Sequence, residues 1–232
     1  MNQFDEISFK VIARVKSDFH DKFGIPRQSG LLKSLRSTIV FEPDFRNADA
    51  LRGLDGFSHL WLLWIFSENV RDSWKPTVRP PRLGGNTRLG VFATRSSFRP
   101  NPLAMSCVKI ERVNLVGEGA PSITVSGADL MDGTPIVDIK PYLPYADSVP
   151  EATGGFAEAV RFNKLNVEFA SATTGVNFPA DKKTALVELL SEDPRPAYQK
   201  DADRIYGIRF AGFEIKFRVQ GDHLTVVAMS PL

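Results

Sequence analysis

FSHLWLLWIFS, Phe57 to Ser67, is the stretch whose reading decides the fold of this 232-residue chain. It is apolar throughout and far too short to cross a bilayer. It reads as a strand buried on both faces or as a strand crossing a closed barrel. His59 opens the run as a core or rim residue, because His20 and His223 are not spaced to join it in a metal site.

Working upstream, Ile7, Phe9, Val11, Ala13 and Val15 alternate with polar residues and predict a strand with one buried face. A second strand is expected from Ser37 to Phe41. A short helix is expected around Ala48 to Leu54, with Asn47 as N-cap and Gly53 near its end. Downstream, Leu103 to Val116 and Pro121 to Ala128 are strand-like and flank the turn Gly117-Glu118-Gly119, a hairpin signal. Asp132-Gly133 then makes a tight turn into a strand from Ile136 to Ile139.

The composition breaks at SVPEATGGF, Ser148 to Phe156. Beyond it a strand near Val160 to Phe169, a helix near Ala180 to Leu190 and strands near Ile205 to Phe210, Phe213 to Val219 and Leu224 to Met229 are expected. Ala185, Leu186, Leu189 and Leu190 share one face of that helix. The alternation of strands and helices that a Rossmann domain needs is missing from the first 150 residues. The fold class is therefore β-rich α+β, with a larger β domain over residues 1–150 and a smaller α+β domain over 151–232.

Hydrophobic residues at 43% and charged residues at 24% are those of a soluble globular protein. The single cysteine, Cys107, rules out an internal disulfide, suits a reducing compartment and reads as inert strand packing. MNQFDEISFK carries acids where a signal peptide needs a basic region and an apolar run, so a cytoplasmic protein is expected. There is no GxSxG elbow, no GxxxxGK[ST] phosphate loop, no HExxH and no paired cysteine motif.

Charge is unevenly distributed. Ser73 to Ile110 holds seven of the 29 Lys and Arg residues and no acid, leaving 22 basic against 27 acidic residues elsewhere. Arg79, Arg82, Arg88, Arg95 and Arg99 form the centre of this anion-seeking patch. Gly84, Gly85 and Gly90 free its backbone, and Pro80, Pro81, Pro100 and Pro102 stiffen it. Arg27 and Gln28, in the loop KFGIPRQSGL, offer donors from a fixed turn. DPRPAY, Asp193 to Tyr198, combines two prolines with Arg195 and an aromatic ring, the composition of a recognition loop. Polar clusters around Arg27, Arg95 and Asp132 can converge at one end of a barrel, because the scaffold fixes the ends of its loops.

These clusters carry a resemblance. GVFATRSSFRPNP, DLMDGTPIVDIKPYLP, GIPRQSG, DALRGLDGFSHLW, PPRLGG and DPRPAY are similar to the TsaA-like family of bacterial tRNA N6-methyltransferases called TrmO, over essentially the whole chain. The resemblance implies a non-Rossmann, barrel-type domain that binds S-adenosylmethionine. It also implies homodimers that methylate N6-threonylcarbamoyladenosine at tRNA position 37, with neither metal nor membrane involved. Carried over by motif, the cofactor contacts fall on Pro26, Arg27, Gln28, Ser67, Glu68, Arg95, Met105, Leu130, Met131, Asp132 and Gly133. Ser67 and Glu68 depart from the family's His-Gln, which leaves the backbone as the means of contact there. Arg27 or Arg95 would hold the cofactor carboxylate, and Glu68 or Asp132 would face its cationic groups. Asp138 and Asp132 are the candidate general bases. Arg79, Arg82, Arg88, Arg99, Arg195 and Tyr198 are the expected tRNA contacts, about half of the arginines being expected to pair with acids instead. Two alternatives compete with this reading: a non-catalytic basic tRNA-binding or RNA-binding module, and a methyltransferase with another acceptor.

Overall fold

The structure, a computed structural model, describes residues 7–70, 73–80, 83, 86–159, 164–195 and 201–232. The described strands are β1 (Ala13–Lys16), β2 (Arg36–Phe41), β3 (His59–Ile65), β4 (Thr77–Val78), β5 (Leu89–Gly90), β6 (Leu103–Asn114), β7 (Ser122–Ser126), β8 (Pro135–Pro141), β9 (Asn166–Phe169), β10 (Tyr206–Phe210), β11 (Phe213–Gln220) and β12 (His223–Pro231). The α-helices are α1 (Pro144–Asp147), α2 (Phe156–Ala159) and α3 (Ala180–Ser191).

Six strands close into a barrel in the order β1-β2-β7-β6-β3-β8. β3 lies between β6 and β8. Its burial alternates: Leu60, Leu62 and Trp64 enter the barrel core, while His59, Trp61, Leu63 and Ile65 are half-buried on the other face. Of the two readings of this run, the barrel strand is the one observed. Its outward residues are apolar because the chain beyond β8 folds back over them. Trp61 packs on Tyr142 at 5.8 Å between ring centroids and donates its indole N–H to Asp147 at 3.1 Å. A bulge between β3 and β8, where Leu63 faces Asp138 but Trp64 faces Ile136, bends the sheet beside Trp64.

The first strand is shorter than the alternation of Ile7, Phe9 and Val11 predicts. β1 starts only at Ala13, and Ile7 and Phe9 are exposed. A period of two makes a strand only where a partner runs alongside, and β2 and β8 reach no further than Ala13 in register. Elsewhere the turn residues act as expected. The Asn47 side chain accepts from the Asp49 N–H to cap a 3₁₀ turn over Ala48–Leu51, and Gly133, at φ +77°, turns the chain into β8.

The second sheet runs β10-β11-β12-β9, with β9 parallel to β12. α3 covers it with Ala185, Leu186, Leu189 and Leu190. Phe19, Leu32 and Leu35, which precede β2, are also buried in this core. A boundary at residue 150 therefore leaves out the β1–β2 segment, which belongs to both cores. The segment is tied to α3 at each end: Lys182 bonds Asp18 at 2.5 Å, and Glu188 accepts from the Ser34 N–H and hydroxyl at 3.0 and 2.9 Å. At Gly24, φ is +91° and a Cβ would lie 3.1 Å from the Ile208 side chain, so only glycine lets the segment approach β10 this closely. No described helix is long and apolar enough to cross a membrane.

Leu32→Ala tests this anchoring. Removing a fully buried leucine side chain should cost about 2–5 kcal/mol in urea unfolding; a loss below about 1 kcal/mol would show that the segment is a surface loop.

Candidate functional site

Two cavities lie where the β1–β2 segment meets the barrel, and Lys22, Ile25, Arg27, Gln28 and Arg95 line both. The smaller, about 300 Å³, is walled by Pro26 to Gln28, by Trp64 to Glu68 at the end of β3, by Ala104 and Met105 of β6, and by Asp129 to Met131. The larger, about 910 Å³, is walled by Lys75, Arg79, Arg88, Ser96 to Phe98, Pro194 and Arg195 among others.

Barrel topology explains the convergence. β3 and β6 are neighbours, and the register pairs Leu63 with Met105 and Ile65 with Leu103, so the end of β3 meets the start of β6. The loop after β7 crosses behind them. Ser106 donates to Asp129 at 2.6 Å and accepts from the Trp64 indole N–H at 3.0 Å. The Ser29 backbone N–H also donates to Asp129, which attaches the Pro26–Gln28 turn to the same carboxylate. Burial pushes the Asp129 carboxyl above its ordinary range, against the opposing pull of the Ser106 hydroxyl and the Arg95 charge.

Of the expected cofactor contacts, Pro26, Arg27, Gln28, Ser67, Glu68, Arg95, Met105, Leu130 and Met131 all line the smaller cavity. Asp132 and Gly133 do not. The Asp132 carboxylate accepts from the Ser17 N–H at 2.9 Å and faces His20, while the Gly133 carbonyl accepts from Arg14. Asp138 lies on neither wall; it pairs with Lys140 at 3.0 Å on β8. The acids on the smaller wall are Glu68 and Asp129. Asp129 was missed because the motif carry-over began one residue later, at Leu130. It is the first acid of DLMDGTP, placed after a strand that ends at Ser126.

The arginines divide as their partners dictate. Arg79, Arg88 and Arg195 line the larger cavity. Arg99 instead donates to the Thr94 carbonyl at 2.7 Å and lies over the Phe92 ring, holding its own loop. Arg195 makes a two-pronged pair with Asp193, both contacts at 2.8 Å, which raises its pKa further. Asp193 has φ +51°, a left-handed turn at the end of α3 that folds the chain back so this pair can close. Arg27 donates to the carbonyls of Asp193 and Arg195 at 3.3 and 3.0 Å, so the two expected loop clusters are joined directly. Arg95 donates to the Gln28 amide oxygen at 2.5 Å. Arg82 and Tyr198 lie outside the described residues. No acid lines the larger cavity, which carries Lys22, Arg27, Lys75, Arg79, Arg88, Arg95 and Arg195. Cys107 lies beside the site, with its thiol pKa pushed up by burial and then by Asp147, which suits packing rather than nucleophilic chemistry.

Chemically, the smaller cavity offers apolar and aromatic walls for a flat heterocycle, guanidinium and amide donors, and a buried carboxylate. The larger offers a concentrated field for a polyanion.

Comparison with known proteins agrees with this arrangement. Residues 14–148 match the tRNA-methyltransferase O N-terminal domain, and residues 159–232 match the TrmO C-terminal domain. The chain is 40% identical over 230 residues to a tRNA (adenine(37)-N6)-methyltransferase of Escherichia coli, covering 96% of this chain and 97% of that one. It is 44% identical over 164 residues to a protein of the same name from Eikenella corrodens, covering 71% of this chain and 92% of the other. A crystal structure of TrmO from Pseudomonas aeruginosa superposes with a TM-score of 0.78 at 31% identity, covering 98% of this chain and all of the other.

Arg27→Ala should free the Asp193–Arg195 turn. Hydrogen bonds from a charged donor contribute about 1.5–3 kcal/mol, so amide exchange at Asp193 and Arg195 should accelerate about tenfold or more. Unchanged exchange would mean that the turn is held by α3 alone.

Proposed function

This chain belongs to the tRNA-methyltransferase O family, and from that premise we propose that it methylates N6 of adenosine 37 in tRNA, with S-adenosylmethionine as donor. The acceptor in this reading is N6-threonylcarbamoyladenosine, and the working unit is a cytoplasmic homodimer. The observation that carries the proposal is the shared wall. A cavity of about 300 Å³, the lower end of the small-ligand range, adjoins one of about 910 Å³ with only basic charge, across the same five residues.

The residues of the smaller cavity fit the donor. Trp64, Phe66, Met105 and Leu130 supply apolar surface for its adenine, Gln28 and Arg95 supply donors for its carboxylate, and Glu68 and Asp129 supply negative charge for its cationic groups. When bound, S-adenosylmethionine supplies a methyl carbon on positively charged sulfur. What remains for the protein is alignment and desolvation.

Arg79 and Arg88 bind phosphates of the unpaired anticodon loop, and Lys75 adds to the same field. Arg27, bonded to the Asp193–Arg195 turn, sets the distance between the RNA side and the donor side. The threonylcarbamoyl group makes the acceptor N–H more acidic than that of a plain adenine amine. This fits a site whose larger cavity has no carboxylate on its wall.

Incubation with methyl-labelled donor should label tRNA carrying the threonylcarbamoyl group and leave unmodified tRNA unlabelled. Equal labelling of both would remove the modified acceptor. Tight tRNA binding with no donor-induced thermal shift would leave a non-catalytic RNA-binding module. Arg79→Ala and Arg88→Ala should each lower the slope of log affinity against log salt by about 0.7–1. Arg99→Ala should lower stability and leave that slope unchanged.

A further inference from the structure

Asp129 is a charged group in the smaller cavity that neither the motif carry-over nor the proposed alignment of acceptor and donor assigns. It stands where four parts of the wall meet: Ser106 of β6 donates to it, Trp64 of β3 donates to that serine, the Ser29 N–H donates to it, and Leu130 and Met131 continue from it along the wall. The charged groups facing the same space are Lys22, Arg27 and Arg95, all cationic, and Glu68. Glu68 is exposed at the end of β3, and its backbone carbonyl accepts from Lys22 at 3.0 Å. Asp129 is therefore the one acid of this wall that the barrel partly buries.

A carboxylate kept away from water needs a compensating cation or donors. Here the hydroxyl and the backbone N–H compensate it only partly, since burial still outweighs them and the carboxyl is raised. A small cation entering the cavity would relieve that imbalance. Resting on the reading that this cavity takes S-adenosylmethionine, we propose that Asp129 is the anion that receives the cationic side of the methyl donor. Ser106 and Trp64 are positioning residues: their two hydrogen bonds aim the carboxylate.

The inference separates binding from chemistry. Asp129→Asn keeps the shape and an acceptor for the Ser106 hydroxyl but removes the charge. Calorimetry with wild-type protein is expected to detect binding of S-adenosylmethionine, and Asp129→Asn should weaken it at least about tenfold, which corresponds to one full charge-assisted contact. Titration with the demethylated product S-adenosylhomocysteine, which lacks the sulfonium charge but keeps the ammonium, completes the comparison. A loss confined to the donor places Asp129 at the sulfonium, and an equal loss for both places it at the ammonium; either supports the proposal. If Asp129→Asn binds the donor as wild type does, with or without loss of turnover, Asp129 is not the anchor. If wild-type protein fails to bind the donor, it is the functional reading that falls.

Should the variant not fold, the wild-type protein answers the question by ¹³C NMR of the Asp129 carboxyl. A bound cation favours the ionised form, so the carboxyl should titrate at a lower pH with donor present than without it. An unchanged or upward-shifted titration overturns the proposal.

Discussion

The architecture depends on one stretch of chain, the link between β1 and β2, being held by two cores at once. Its apolar residues Phe19, Leu32 and Leu35 are spent on the sheet that forms last in the sequence. Its backbone is spent on the barrel: the Gly30 N–H donates to the Gly127 carbonyl at 2.8 Å, and at Gly127, φ +81°, a Cβ would stand 3.2 Å from the Gly30 backbone. With both sides committed, the turn between them cannot drift. Lys22 to Gln28 thus become a rigid partition between two cavities rather than a surface loop.

Rigidity here comes from satisfied polar groups as much as from burial. Asp129 collects donors from a side chain and a backbone of different elements, and Arg27 spends its guanidinium on two carbonyls of the turn after α3. Each of these groups would be costly to bury alone and inexpensive to bury in company. The same rule sorts the basic residues. Arg99 and Arg195 are committed to a carbonyl and a carboxylate of their own loops, whereas Arg79 and Arg88 line a cavity with no acid on its described wall. A high density of arginine in sequence is thus part scaffold and part binding surface.

Much of the fold was legible in the residues. β11, β12 and α3 appear where alternation and helical spacing indicate, because one-sided burial imposes those periods on any sequence. Ile7 to Val11 carry the same alternation and form no strand, since a ladder also requires a neighbour of sufficient length. The site was legible in part: motif matching reached Arg27, Arg95, Met105 and Leu130, all on one wall. It reached past the wall at Asp132 and Asp138, whose carboxylates serve Ser17 and Lys140. It stopped short at Asp129, whose identity as an aspartate says nothing of how deeply it is set.

By itself the amino-acid sequence determined the β-rich class, the acid-free basic segment and the turn positions, because these follow from local periodicity, local charge and backbone preference. Only the tertiary structure decided which carboxylate faces the cavity, which arginines are already paired and that residues 17–35 close the second core. Those properties are contacts between positions more than a hundred residues apart, such as Ser34 with Glu188 and Ser17 with Asp132. Chain closure on that scale leaves no period in the sequence to read.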